Sequence, residues 1–217
     1  MKGKILILLV VVVSLSFISY SNLAVDAVAQ ASTDLPPFEI FIVDQDSIPK
    51  DEGIPNTSYT ASILIVDNVK KQVYGPFKGS SYPNSRETEA GSDKPNTVDL
   101  GIHLFNNKYG HKGGTVKGLN LINQEEQRET NGYSWTKKPV TMSYVNVHQG
   151  YSDLGNYNSR GSLGCITLQP DQADQFWSYF DFSVNGTTGT SKGVAYVFRE
   201  TEAKREQLIN DIKNVYP

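Results

Sequence analysis

The chain has 217 residues, with 20 Lys and Arg against 23 Asp and Glu, a formal charge of −3. That balance gives no electrostatic case for nucleic acid, whose binders carry basic stripes. The length suits one domain with a core large enough to fold without disulfides, and the single cysteine, Cys165, excludes a disulfide within the chain.

Lys2 and Lys4 precede an apolar run over residues 5–18 that is broken only by Ser14 and Ser16, and Ala27-Val28-Ala29 follows. Positive start, apolar centre and A-x-A exit predict a cleaved secretory signal over residues 1–29. The run is shorter than the roughly 20 residues a spanning helix needs, so no membrane attachment is expected after cleavage. Residues 30–37 read as a linker and 38–217 as one extracytoplasmic domain, secreted or periplasmic.

Within that domain, residues 38–43 (FEIFIV) and 61–66 (ASILIV) are β-branched and aromatic runs that predict strands. Asp67-Asn68 is a turn signal, and 71–77 (KQVYGPF) reads as the hairpin partner. Residues 79–95 are polar and proline-bearing and predict a long loop. Further strands are expected at 97–105 and 119–122, and the polar segment 124–135 that follows them is ambiguous. Alternating apolar positions in VTMSYVNV predict a single strand over 140–147 that runs directly into His148. Pro170-Asp171 begins a helix expected through residue 179 or 180, and 193–199 (GVAYVFR) is the last strand. Residues 202–215 predict an amphipathic helix with Leu208, Ile209, Ile212 and Val215 on its apolar face. The class is mainly β, with one helix after the cysteine and one at the C-terminus.

The chemistry concentrates in VNVHQGYSDLGNYNSRGSLGCITL, residues 145–168. A thiol attacks acyl carbon as thiolate, and a nearby imidazole takes its proton. His148 at a strand end and Cys165 at the start of an apolar run are the expected base and nucleophile. The imidazole needs an acceptor on its other nitrogen, and the backbone carbonyl of Gln149 or Gly150 is the candidate. Gly164 lets backbone approach a substrate, and the N–H groups of Gly164 and Cys165 are candidate oxyanion donors. Ser162 is expected to hydrogen-bond within the same turn.

The segment resembles the signature of the L,D-transpeptidase catalytic domain (YkuD-type), in which a histidine is followed, after a gap of this length, by Ser-His-Gly-Cys, an apolar residue, and Arg or Asn. His148, Ser162, Gly164, Cys165 and Ile166 match, and the specific likeness covers residues 145–180. Leu163 stands where the pattern has a second histidine, and Thr167 where it has the Arg or Asn that contacts a substrate carboxylate. Arg160 is the nearest replacement for that contact. The resemblance implies a β-sandwich and acyl transfer on peptidoglycan stem peptides in cell-wall biogenesis, through a Cys165 thioester and with no cofactor. The same residues serve transfer to an amine and hydrolysis by water, so an L,D-carboxypeptidase of the same fold is one alternative. Another is a silent wall-binding module. A sortase also uses His before Cys, but SLGCI matches the transpeptidase pattern better.

His103 and His111 lack metal-ligand spacing to each other or to His148, so no metal is expected and both are read as local packing. Trp135, Tyr144, Tyr151 and Tyr157 are candidates to line a substrate cleft.

Overall fold

A computed structural model describes residues 35–46, 59–83, 96–134, 137–150 and 162–215. The signal, most of the linker, Arg160, Trp135, Tyr151 and Tyr157 lie outside the described residues. Eleven strands and two helices are formed among the described residues: β1 (Phe38–Gln45), β2 (Ala61–Asp67), β3 (Gln72–Ser80), β4 (Thr97–Val98), β5 (Gly101–Asn106), β6 (Gly118–Ile122), β7 (Glu129–Tyr133), β8 (Pro139–Ser143), β9 (Asn146–Gln149), β10 (Ile166–Leu168), α1 (Pro170–Trp177), β11 (Lys192–Glu200) and α2 (Glu202–Val215).

The protein is mainly β, as expected, but the main sheet is not one half of a sandwich. Eight strands close into a barrel in the order β1-β11-β5-β6-β9-β10-β3-β2, and β4-β7-β8 make a separate small sheet. Two barrel pairings are parallel, β1 with β11 and β9 with β10, and the others are antiparallel. Closure leaves no open edge in the main sheet.

The apolar runs of β1 and β2 are continuous because both of their faces are covered. Ile40, Ile42, Ile63 and Ile65 join the main core with Phe105, Leu119, Leu121, Val147, Ile166 and Leu168. The alternate residues Phe41, Val43, Leu64 and Val66 pack instead on Ile212, with Leu208 and Ile209 beside it. A period-two strand that buries both faces needs a second layer, and α2 supplies it. α1 has Pro170 in its first turn and brings Phe176 and Trp177 into the main core, with Phe176 edge-on to Phe77 at 5.4 Å.

Two expected strands are each split between the sheets. Residues 97–105 divide at Asp99-Leu100 into β4 and β5, with Gly101 at φ +110°. His103 bridges the pieces, its Nε2 donating to the Asp99 carbonyl at 3.1 Å and its Nδ1 accepting from Thr130 Oγ1 at 2.6 Å. Residues 140–147 divide into β8 and β9 at Tyr144, whose φ of 62° is a left-handed value that a bulky residue adopts only under constraint. The apolar alternation continues through this corner, which is why the sequence reads as one strand.

The outer layer gives a direct stability test. Ile212 is 3 % exposed, and Ile212→Ala is expected to cost about 2–4 kcal/mol in denaturant unfolding. Val69→Ala, at a residue 78 % exposed, should stay within about 0.5 kcal/mol of the parent.

Candidate active site

Three neighbouring strands alternate core residues with polar ones. Leu119, Leu121, Val147, Ile166 and Leu168 face the barrel interior. Asn120, Asn146, His148 and Thr167 therefore face outward, yet each is at most 3 % exposed. Register aligns them: Asn120 opposes Asn146, Gly118 opposes His148, and His148 opposes Thr167 across the parallel pair β9–β10. Cys165, two residues before Thr167, falls on the same face. The cluster thus sits on the outer wall of the barrel and is roofed by the loop between β5 and β6.

His111, in that loop, is the residue sequence reasoning missed. Its ring stacks on His148 with centroids 3.9 Å apart and planes 6° from parallel. One ligand-type atom from each of His111, His148 and Cys165 lies within 4.8 Å of the others. The reading of His111 as unrelated local packing is corrected, since tertiary structure supplies a proximity that spacing does not encode. A partial signal was Gly118. A side chain there would place its Cβ 3.1 Å from His111 Cβ and 3.3 Å from His111 N, so glycine leaves the room that His111 occupies.

Backbone groups fix the two imidazole tautomers. His148 Nδ1 donates to the Gln149 carbonyl at 2.7 Å, so of the two candidate orienting carbonyls it is Gln149, not Gly150, that holds the ring. Nε2 then carries the lone pair, buried and with no hydrogen-bond partner among the described residues. For His111 the determination runs through two asparagines. The Tyr109 N–H donates to Asn120 Oδ1 at 3.0 Å, and Asn120 Nδ2 donates to the Gly110 carbonyl at 2.7 Å. That orientation presents Asn120 Nδ2 to Asn146 Oδ1. Asn146 Nδ2 is left to donate to the Tyr144 carbonyl at 2.6 Å and to His111 Nδ1 at 3.0 Å. His111 accepts at Nδ1 and so carries its proton on Nε2.

The same network answers whether a metal fits. His111 has one nitrogen taken by the Asn146 amide and the other protonated, so it offers no lone pair. Among the described residues only His148 Nε2 and Cys165 Sγ remain, fewer than the three or four protein ligands of a zinc site.

Cys165 is half-buried, with its thiol 3.9 Å from the Tyr144 carbonyl. Burial raises the thiol above its ordinary value, only partly offset by the Asn146 donors and by Arg128. His148 is pushed down to about 3, first by burial and then by His111. His111 is pushed down to about 4 by burial, with Lys112 and Arg128 adding to it. Thiol and imidazoles are all neutral at rest.

Gly164 and Thr167 depart from the expected roles, while Ser162 keeps its own. Ser162 Oγ donates to the Cys165 carbonyl at 2.6 Å and accepts from the Gly164 N–H at 3.1 Å, so it staples the turn as expected. The Gly164 N–H is therefore committed, and its assignment as an oxyanion donor is withdrawn. The Cys165 N–H is the remaining backbone donor beside the thiol. Gly164 itself is required by φ +136° and by contacts of 2.8 Å that a Cβ would make with Asn96 O and Met142 Cε. Thr167 is fully buried and cannot meet a substrate carboxylate. Leu163 is 66 % exposed beside the thiol.

An open cleft of about 630 Å³ adjoins the cluster, lined by Tyr109, Arg128 and Tyr144 among others. Tyr144 thus lines a cleft, although neither Cys165 nor His148 is among the residues that line it. The Arg128 guanidinium lies between the Tyr109 and Tyr144 rings, 5.4 and 4.8 Å from their centroids. Arg199 is committed elsewhere, to the Ser81 and Val98 carbonyls at 3.1 and 3.0 Å.

The depressed histidines predict acid lability. His103 is lowered by burial as well, so each of the three histidines takes up a proton less readily in the fold than in the unfolded chain, where the midpoint is near 6.5. Between about pH 6.5 and 4 the unfolded chain binds more protons, so stability falls as pH falls through that window and is flat above it. Thermal melts from pH 8 to 4 should show this, with a shallower slope in His148→Gln. Comparison with known proteins matches this chain to no family model, no curated protein and no solved structure.

Proposed function

We propose that the protein is a cysteine acyltransferase of the L,D-transpeptidase type, exported by a signal over residues 1–29 and acting on peptidoglycan stem peptides. The observation that carries this reading is the parallel β9–β10 pairing, with Cys165 beside His148, a buried lone pair left without a hydrogen-bond partner on Nε2 and the opposite nitrogen held by a carbonyl. The signature residues His148, Ser162, Gly164, Cys165 and Ile166 support the substrate class by resemblance.

In this mechanism Cys165 Sγ bonds to the scissile amide carbon while its proton passes to His148 Nε2. The carbonyl electron pair moves to oxygen, beside the Cys165 N–H. Collapse breaks the C–N bond, and the amine leaves with the proton from His148, giving a thioester. An amine then displaces the thiol to form a crosslink, or water does so in the L,D-carboxypeptidase version. Atoms and charge balance without metal or redox partner.

The second reading, a silent wall-binding module, is favoured by the buried Thr167 and the committed Gly164 N–H. Incubation of the mature protein with disaccharide-tetrapeptides, read by mass spectrometry, separates the readings. Loss of the terminal D-amino acid with a thioester on Cys165 supports the enzyme, and a crosslinked dimer supports transfer over hydrolysis. Cys165→Ala should abolish the adduct, and His148→Gln should slow turnover about 10²–10⁴-fold. If binding occurs without any product, the silent module stands.

A further inference from the structure

Of the three histidines, His103 is explained by its bridge between the two sheets and His148 by the reacting pair. His111 is explained by neither. It occupies the room that glycine at position 118 leaves, and it contributes nothing to the apolar core.

We propose that His111 is a positioning residue for the Cys165–His148 pair: stacked face to face on His148 and locked by the Asn120–Asn146 relay, it keeps the base neutral at rest, so that the thiol loses its proton during attack and not before. This inference rests on the reading of Cys165 and His148 as the reacting pair.

Three observations carry it. The stack, with centroids 3.9 Å apart, covers one face of His148 and removes the water that would solvate an imidazolium. The relay from the Tyr109 N–H and Gly110 carbonyl through Asn120 and Asn146 fixes His111 as a neutral ring that cannot turn to accept a proton from its neighbour. The group that orients His148 is the uncharged Gln149 carbonyl, where an acid would have stabilised the charged ring. The groups acting on His148 are His111 and Lys112 from the roof, with Cys165 from the start of β10, and Arg128 acts on His111 and Cys165. Both cations oppose a charged imidazole. A thiolate–imidazolium pair is therefore disfavoured at the imidazole by burial and by the nearby cations, and at the thiol by burial, which Arg128 offsets only in part.

The step remains balanced: the thiol proton moves to His148 Nε2 as the S–C bond forms, and it leaves on the departing amine. His111 neither gains nor loses a proton.

The test uses the mature protein without substrate, in two readouts. The first is the imidazole titration of His148 by NMR, and the second is the rate of Cys165 alkylation by iodoacetamide from pH 5 to 9. In the parent, His148 should show no titration between pH 8 and 5, and alkylation should lag a free thiol and climb only in the alkaline range. His111→Ala admits water, so the His148 midpoint should enter the pH 5–7 window. Alkylation at pH 7 should rise about tenfold or more, since each pKa unit is a factor of ten in the charged form. His111→Phe keeps a flat ring on His148 and should leave that midpoint low.

Should His111→Ala fail to fold by circular dichroism, His111→Gln, which keeps an acceptor for Asn146 but loses the stack, is expected to shift the midpoint in the same direction. An unshifted His148 in a folded His111→Ala or His111→Gln protein overturns the proposal. A parent whose alkylation is fast and level between pH 5 and 8, the mark of a resting ion pair, overturns it too. Failure of the acyltransferase reading shows separately, as absence of thioester and product from tetrapeptide stems with these titrations unchanged.

Discussion

The parallel pairing of β9 with β10 is the constraint on which the site depends. Parallel neighbours cannot be joined by a tight turn and need a long connection, and β9 ends at Gln149 while β10 begins only at Ile166. The register puts Thr167 opposite His148 and so carries Cys165, two residues earlier, to the level of Asn146. Every polar contact of the thiol follows from that alignment. A slip of one residue would send Cys165 into the core and Ile166 to the outer wall.

The wall that carries the site is held from both sides. Its inner face is the apolar interior, with Val147, Ile166 and Leu168 completely buried. Its outer face is a polar layer in which two asparagines pass orientation from backbone to imidazole. Such a layer is stable only when nearly every donor and acceptor is matched, because an unpaired buried polar group costs about 1–3 kcal/mol. Here the unmatched atoms include His148 Nε2 and Thr167 Oγ1, on residues that oppose each other across β9 and β10. An orphaned lone pair on a base is the form a proton acceptor takes before it has something to accept.

Much of this was legible in the residues. The strands expected at 38–43 and 61–66, the hairpin at Asp67, the helix after Pro170 and the amphipathic helix at the end all announce themselves by period and punctuation. The juxtaposition of Cys165 and His148 was legible because a lone thiol beside glycine, after a histidine at a strand end, has few structural explanations. Barrel closure was not, since the strand sequences alone do not say which edges meet. Nor was the corner at Tyr144, where alternation runs on through a left-handed residue. His111 was hidden for a different reason: its role comes from a loop folding back over two strands, 37 positions from His148. The roles first given to Gly164 and Thr167 failed on local accounting. One N–H was already taken by Ser162, and one side chain was fully enclosed.

The outward-facing position of the cluster bears on what can reach it. A ligand entering the mouth of a barrel must fit the bore and arrive end-on. Cys165 sits on the flank, bordered by Leu163 and Tyr144, both about two-thirds exposed. A flank can be laid against an extended or insoluble polymer, with only a short protruding branch reaching the sulfur. Molecular size then ceases to be the filter. Selection falls to the reach of the branch and to the few side chains that meet it.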